Sequence, residues 1–169
     1  QLNDFNMKKT ILTLLLCIIG VTAGATQQIN DKVTVNGEEW EITTSPLDYL
    51  QPQAMDAFKA LLGERDFMNT ANQRGYVAYW YVERGRLYLD RVEVAQKNGE
   101  YKALDNKELK KVFRKYRSFG KIKAGWITGN LRVGYGIGER SISAPYLPAF
   151  EKEEFWVLRK GKIAARATK

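Results

Sequence analysis

The residues that could carry out acid–base chemistry in this chain are carboxylates and tyrosines, because none of its 169 residues is a histidine. Histidine is the usual general base at neutral pH and the commonest zinc ligand, so Ser-His-Asp and Cys-His catalysis and most zinc sites are excluded. The single cysteine, Cys17, lies in an apolar segment near the N-terminus. We therefore expect no catalytic residue, no cofactor and no metal.

Paired carboxylates are the one catalytic arrangement that remains open, because glycoside hydrolysis needs only two acids across a sugar-sized gap. Asp90 and Glu93 could supply them beside a tyrosine-rich stretch, and Glu38, Glu39 and Glu41 form a second set. Acids at alternating positions of a strand usually mark a solvated face, so an enzyme is the less favoured interpretation.

The glycine-rich stretch at residues 134–138, GYGIG, resembles a phosphate-binding loop only superficially. A dinucleotide-binding fingerprint requires a strand before the glycines and a helix after them. Pro145 and Pro148 follow here instead. A strand bent or bulged at glycine is the better interpretation.

Basic residues are concentrated between positions 107 and 123 and supply nearly all of the net charge of +8. Apolar residues at helical spacing in this segment predict an amphipathic helix that begins at Asp105 and Glu108 and ends at residues 118–120. Its exposed side is either an ordinary solvated face or a surface for an acidic protein, membrane headgroups or an anionic glycan. Nucleic acid is disfavoured, because no nucleic-acid-binding motif accompanies the charge. The candidate partner-binding residues on this side are Lys110, Lys111, Arg114 and Lys115.

The densest aromatic stretch, residues 75–94, is predicted to form a hairpin that turns at Arg84-Gly85. Glycine at the second position of a two-residue turn accepts the positive φ that the turn needs. Folding about this turn pairs Glu83 with Arg86, Val82 with Leu87, Tyr81 with Tyr88, Trp80 with Leu89, and Tyr79 with Asp90.

Alternation along these two strands places Trp80 in the core and Tyr79, Tyr81 and Tyr88 on the opposite face. A helix packed across the three tyrosines is the more ordinary arrangement, since buried tyrosine commonly keeps a polar tip. Exposure would make them a binding surface, with Trp126 as a further ring for stacking.

The rest of the chain supplies the elements that must position these groups. Turn dipeptides predict hairpins about Asn36-Gly37 and Lys160-Gly161, and a tight turn at Gly129-Asn130 within residues 122–136. Residues 52–62 read as a helix that ends at Gly63. No βαβ rhythm of a parallel sheet is present. We expect an α+β fold: one domain over residues 26–169, mainly an antiparallel, curved or barrel-like sheet built from β-hairpins, with two α-helices.

Residues 1–25 are interpreted as an upstream extension followed by a cleaved signal peptide. Lys8 and Lys9 precede a short apolar core, and residues 23–25, Ala-Gly-Ala, form a cleavage site. The apolar run is too short to span a membrane. A lipoprotein cysteine is disfavoured, because Cys17 lacks a small residue before it and is followed by further apolar residues. The remaining domain would be exported without a transmembrane helix or a disulfide.

Four stretches resemble small uncharacterised exported proteins of Bacteroidota. They are VNGEEW at 35–40, GYVAYW at 75–80, LYLDRV at 87–92 and FWVLRKGK at 155–162. The resemblance implies a periplasmic or cell-envelope setting, and it implies no activity and no site residues.

We therefore expect an exported, non-enzymatic binding protein of the periplasm or cell envelope, or a secreted one. Its partner would be a protein or a glycan, and an immunity or inhibitor protein is one concrete version, in which the basic helix faces an acidic partner. The alternative is a carbohydrate-binding or carboxylate-dependent glycan-cleaving domain that stacks sugars on Tyr79, Tyr81 and Tyr88. A third candidate is a structural component of the envelope that self-associates.

Overall fold

The computed structural model describes residues 28–63, 71–138 and 149–169, and the predicted signal peptide lies outside them. The described residues form two α-helices, α1 (Pro52–Leu62) and α2 (Asn106–Val112), and two 3₁₀ turns at Pro46–Tyr49 and Arg114–Tyr116. Their ten strands are β1 (Asp31–Val35), β2 (Glu38–Ile42), β3 (Tyr76–Glu83), β4 (Arg86–Ala95), β5 (Tyr101–Ala103), β6 (Arg117–Ser118), β7 (Lys121–Lys123), β8 (Gly129–Tyr135), β9 (Lys152–Arg159) and β10 (Lys162–Thr168).

Two-residue turns with positive φ at both positions connect four pairs of neighbouring strands. This geometry matches the right-handed twist of the strands it joins. Each turn has glycine second, and the first residues have φ values of 48° to 51°. Three of the turns are the predicted ones. The fourth, at Phe119-Gly120, joins β6 to β7 where the sequence predicted only the end of a helix. The four dipeptides are Asn36-Gly37, Arg84-Gly85, Phe119-Gly120 and Lys160-Gly161.

Seven strands close into a barrel in the order β10-β9-β8-β2-β1-β3-β4, and β4 returns to β10. The closing seam has one paired position, Lys162 opposite Arg86. Two backbone bonds extend it, from the Leu87 N–H to the Gly161 carbonyl and from the Ile163 N–H to the Gly85 carbonyl, each 2.9 Å. β5 and β7 pair with β4 outside this ring, and β6 pairs with β7. The predicted α+β fold with a barrel-like, mainly antiparallel sheet and two helices is confirmed.

One pair of neighbouring strands is parallel, whereas the rest of the sheet is antiparallel. β1 runs parallel to β3, with Val33 opposite Trp80. A parallel neighbour requires a crossover, here made by β2, the first 3₁₀ turn and α1. The sequence lacks the strand–helix–strand alternation that predicts parallel strands, because this connection contains a strand as well as a helix.

The predicted turn at Gly129-Asn130 is wrong, because both residues begin strand β8. β8 pairs with β2 and β9 rather than with β7. A Cβ atom on Gly129 would lie 2.9 Å from the ring of Tyr49. Glycine is needed at this position for close packing against that ring and not for a reversal of the chain.

Gly134, in the glycine-rich stretch, also serves packing. It lies within β8, and a Cβ atom there would overlap the ring of Phe150. The side chain of Phe150 therefore lies directly on the strand backbone. This agrees with a glycine-modified strand rather than a phosphate loop.

A continuous set of aromatic rings connects the helices to the barrel interior. Phe58 of α1 contacts Phe113 at 6.1 Å between ring centroids, and Phe113 stacks on Trp126 at 5.2 Å. Trp126 in turn lies 6.1 Å from Trp80 of β3. All four rings are buried in one hydrophobic core, so the helices and the barrel share that core.

Candidate functional site

The three tyrosines do lie on the outer face of the β3–β4 hairpin, but one predicted pairing is wrong. A β-bulge between Tyr79 and Trp80 shifts the register, so Tyr79 faces Arg91 and Asp90 is the extra residue. The pairs from Trp80 to the turn are those expected. A bulge re-aims side chains locally, and here it places a guanidinium where a carboxylate was predicted.

The tyrosines differ in exposure. Tyr88 is 7% exposed, whereas Tyr79 and Tyr81 are partly exposed. A cleft of about 250 Å³ lies beside the two partly exposed rings. Strand residues alone line it, so a helix packed across this face, the more ordinary expectation, is not what the described residues show. The lining residues are Lys32, Thr34, Glu39, Tyr79, Trp80, Tyr81, Asp90 and Arg91.

Neighbouring groups hold each ring in place. The rings of Tyr81 and Tyr88 stack with 5.1 Å between centroids and 12° between planes. The guanidinium carbon of Arg91 lies 3.6 Å from the centroid of the Tyr79 ring. Lys121 Nζ lies 5.9 Å and 5.8 Å from the Tyr81 and Tyr88 rings, and it binds Glu83 at 2.6 Å. Cation–π contact and stacking both reduce rotamer freedom, so this surface is rigid before any ligand binds.

The phenol groups of Tyr79 and Tyr81 remain protonated at neutral pH. Burial raises the pKa of Tyr79, and the hydrogen bond to the Glu93 carboxylate raises it further. Burial also raises the pKa of Tyr81, although the Lys121 ammonium opposes this. Neutral hydroxyls can both donate and accept hydrogen bonds, which suits recognition of polar groups.

One guanidinium group binds both acids of the first candidate carboxylate pair, Asp90 and Glu93. Arg91 binds Asp90 through Nη1 at 3.1 Å and Glu93 through Nε at 2.8 Å. The guanidinium therefore lies between the two acids, where a glycosidic oxygen or an attacking water would have to be placed.

The acids of β2 form a charged outer surface. Lys32 Nζ lies 2.7 Å from Glu41 and 3.9 Å from Glu39, and the Asn30 amide donates to Glu41 at 2.8 Å. Burial would raise the pKa of Glu41, but these amide and ammonium groups lower it overall. Glu38 is exposed next to the turn. Glu39 and Glu41 alternate along β2 and form a paired, partly solvated face, as the alternation of acids indicated.

The basic candidate residues follow a helix shorter than predicted. Asp105 caps α2 as expected, with its Oδ1 accepting from the backbone N–H groups of Lys107 at 2.6 Å and Glu108 at 3.2 Å. The helix ends at Val112 and a 3₁₀ turn continues it. Lys110 and Lys111 therefore lie on α2 and Arg114 and Lys115 on the 3₁₀ turn, and Lys111 binds Glu108 at 2.5 Å.

The aromatic and basic candidate surfaces are joined by the β6–β7 hairpin. β7 pairs with β4 and places Lys123 opposite Tyr88. β6 follows directly from the 3₁₀ turn that carries Arg114 and Lys115. Trp126, the further candidate ring, is 8% exposed and donates from its indole to the Pro46 carbonyl at 3.0 Å. It is a core residue and not a stacking platform.

Sequence reasoning missed a buried polar cluster around Asp31. Its side chain is 0% exposed, binds Arg74 at 3.0 Å, and accepts from the Ala78 N–H and the Trp80 indole, each at 3.2 Å. Burial raises the pKa of Asp31, and these three donors offset only part of this rise. Nothing local distinguishes this aspartate from a polar residue beside a turn, because its partners come from β3 and the segment before it.

A second cleft, of about 320 Å³, lies between α1 and the start of β3. Its floor consists of Phe58, Leu62 and Tyr76, which belong to the hydrophobic core. Burial raises the pKa of Tyr76. Because these residues already serve packing, the cleft beside the tyrosines is the stronger candidate.

Residues 28–63, 71–138 and 149–169 lack two features. They contain no helix long and apolar enough to cross a membrane. They also contain no group of three or more acidic or cysteine side chains that could hold a metal ion.

Comparison with known proteins assigns no relative. The chain matches no protein-family model, no curated protein and no solved structure.

Proposed function

We propose that this chain is an exported, non-enzymatic binding protein of the periplasm or cell envelope, and that the tyrosine face is its recognition surface. We define the tyrosine face as Tyr79, Tyr81, Tyr88 and Arg91. The observation that carries the proposal is that two partly exposed tyrosine rings are fixed by stacking partners beside an open cleft.

The residue types on this face favour a protein partner. Tyrosine and arginine are enriched among the residues that dominate binding energy at protein interfaces. A tyrosine offers a large contact area with few rotatable bonds, so little conformational entropy is lost on binding. The Tyr81–Tyr88 stack and the Arg91–Tyr79 contact have already ordered these rings, which lowers the remaining cost.

An immunity or inhibitor protein is the concrete form that this surface supports. Such a protein needs a rigid face and no chemistry of its own. The barrel supplies the rigidity, because both strands that carry the tyrosine face are paired on both sides, β3 with β1 and β4, and β4 with β3 and β7.

The test is capture of a partner by the purified, exported chain, with matched substitutions on two faces of the barrel. Tyr79→Thr with Tyr81→Thr removes the exposed rings while keeping strand-forming residues. Val157→Thr changes an exposed outward position of β9 and serves as the control. We expect saturable capture of one envelope protein, at least about tenfold weaker for the double variant and unchanged for the control. Equal capture by the double variant would overturn the assignment of the tyrosine face.

A carbohydrate ligand is the second candidate, because the cleft combines aromatic rings with polar side chains. Lys32, Thr34, Glu39 and Asp90 line the same cleft as Tyr79 and Tyr81, and such groups can bind sugar hydroxyls beside a stacked ring. A glycan array separates the candidates: saturable glycan binding that the double variant loses supports this function, and no retention removes it. Cleavage of the glycan is disfavoured, since Arg91 lies between Asp90 and Glu93.

A further inference from the structure

Phe119 is placed where no part of the described fold uses it. It is the first residue of the two-residue turn between β6 and β7, and its side chain is fully exposed. Its φ of 49° is in the left-handed region, which residues other than glycine, asparagine and aspartate seldom adopt.

The three equivalent turns of the chain provide an internal comparison. Their first residues are Asn36, Arg84 and Lys160, all polar, at φ values of 51°, 50° and 48°. Phe119 adopts the same backbone conformation and gains no burial in return. Neither the geometry of the turn nor packing in the core explains an aromatic residue at this position. We therefore expect the Phe119 ring to contact something outside the folded chain.

The segment of the chain that carries Phe119 is strongly basic. No Asp or Glu occurs in residues 109–138. Three cations of these residues are paired: Lys111 with Glu108, Lys121 with Glu83 and Arg132 with Glu153. The others form no ion pair within the described part of the chain, and we refer to them with Phe119 as the basic tip: Lys110, Arg114, Lys115, Arg117 and Lys123.

We infer that the basic tip docks on the surface of an anionic phospholipid bilayer. The Phe119 ring enters the interfacial region, and the surrounding ammonium and guanidinium groups contact lipid phosphates. An exposed aromatic side chain framed by lysine and arginine has the two components of interfacial binding, apolar burial and attraction to anionic headgroups. This inference is independent of the partner proposed for the tyrosine face.

The shape of the tip favours a bilayer over an acidic protein. A protein partner would bury an aromatic anchor within a ring of further contacts that exclude water. Here one ring lies at the end of a hairpin of two- and three-residue strands, and the residues next to it are charged or small. A bilayer accepts such an isolated ring, because lipid tails fill the space around it.

The experiment is co-sedimentation of the purified chain with vesicles of phosphatidylcholine alone and of phosphatidylcholine mixed with phosphatidylglycerol. We expect binding to the anionic vesicles, weakened by salt, and little binding to the neutral ones. Phe119→Asn gives this turn the dipeptide found at Asn36-Gly37, so the hairpin is retained. It should lower the affinity for anionic vesicles by about tenfold or more. Lys160→Asn, which creates the same Asn-Gly dipeptide at an equivalent turn outside the basic tip, is the control and should change the affinity less than about threefold.

Charge is tested separately by Arg114→Gln with Lys115→Gln, which should weaken binding by about fivefold per residue. Binding of Phe119→Asn as tight as wild type would overturn insertion of the ring. Failure of the wild-type chain to bind anionic vesicles, or equal binding to neutral vesicles, would overturn bilayer docking altogether and leave an acidic protein surface as the explanation of the charge. The tyrosine variants, Tyr79→Thr with Tyr81→Thr, should bind vesicles as wild type does, which keeps this outcome distinct from the partner-capture test.

Discussion

Replacing Asp31 should test whether the buried polar cluster holds β3 in register against β1. Asp31→Ala leaves the Trp80 indole N–H and the Ala78 backbone N–H without their acceptor in a buried site. Each buried donor left unpaired costs about 1–3 kcal/mol. Arg74 is 27% exposed and can be partly solvated, so it adds less than a fully buried partner would. Loss of the buried carboxylate offsets part of this cost, and we expect Asp31→Ala to lower the free energy of unfolding by about 2–4 kcal/mol.

Urea denaturation followed by tryptophan fluorescence measures this loss, because Trp80 and Trp156 are almost completely buried. Asp56→Ala, the same substitution at an exposed position of α1, is the matched control and should change the free energy of unfolding by less than about 0.5 kcal/mol. Asp31→Asn keeps one acceptor oxygen and should cost less than alanine. A loss below about 1 kcal/mol for alanine, or equal losses for alanine and asparagine, would refute the reasoning.

The pH dependence gives an independent check on Asp31. Burial raises its pKa in the folded state above the model-peptide value of 3.8. A raised carboxyl pKa contributes stability that is fully present below the unfolded pKa and is lost as pH rises through the folded pKa. The stability advantage of the wild-type chain over Asp31→Asn should therefore be larger at about pH 3 than at pH 7. A difference that grew with pH would mean that the ionised carboxylate is the favoured form.

Three further substitutions test other parts of the fold. Gly161→Ala should destabilise the fold more than Gly85→Ala, although both glycines have φ near 70°. A Cβ atom on Gly161 would lie 2.6 Å from the Ala124 carbonyl oxygen, whereas a Cβ atom on Gly85 would have no neighbour within 4 Å. We expect about 1 kcal/mol for Gly85→Ala and about 1–3 kcal/mol more for Gly161→Ala from urea midpoints, and equal losses would contradict the close approach. The pKa of Glu41 is lower in the folded chain than its unfolded value near 4.5, so this carboxylate contributes stability at pH values above 4.5. The stability advantage of the wild-type chain over Glu41→Gln should therefore decrease as the pH falls below 4.5. A difference that stays constant with pH would contradict the contacts of this carboxylate. Phe119→Asn should raise the free energy of unfolding by about 1 kcal/mol in thermal or urea melts, because asparagine tolerates the left-handed conformation, and a loss of stability would show that the phenyl ring supports the fold.

The hairpins could be predicted because their determinants are local. A glycine that must adopt positive φ, flanked by alternating strands, identifies the turn and fixes the pairing beside it, as at Arg84-Gly85. The Asp105 cap of α2 is likewise local, since the carboxylate binds N–H groups two and three residues ahead.

What could not be predicted depends on contacts between distant segments. The bulge that moves Tyr79 from Asp90 to Arg91 has no marker of its own in the hairpin sequence. The dipeptide Gly129-Asn130 is typical of turns, but glycine is needed here for packing against Tyr49, a residue far away in the chain. The same holds for the candidate site. The tyrosine residues were identifiable, whereas their exposure depended on where the helices packed.

The barrel seam has a consequence for how the chain avoids pairing with its own copies during folding. The seam joins β4 to β10, which are far apart in the chain, and closing so long a loop carries an entropic cost that local hairpins do not have. Until it closes, the start of β4 and the free edge of β10 are unpaired, and unpaired edges are templates for association between chains. Arg86 and Lys162, which meet at the one paired position, carry the same charge. Like charges directly opposite each other weaken strand pairing, so the protein gives up some stability at its seam in exchange for open edges that repel one another.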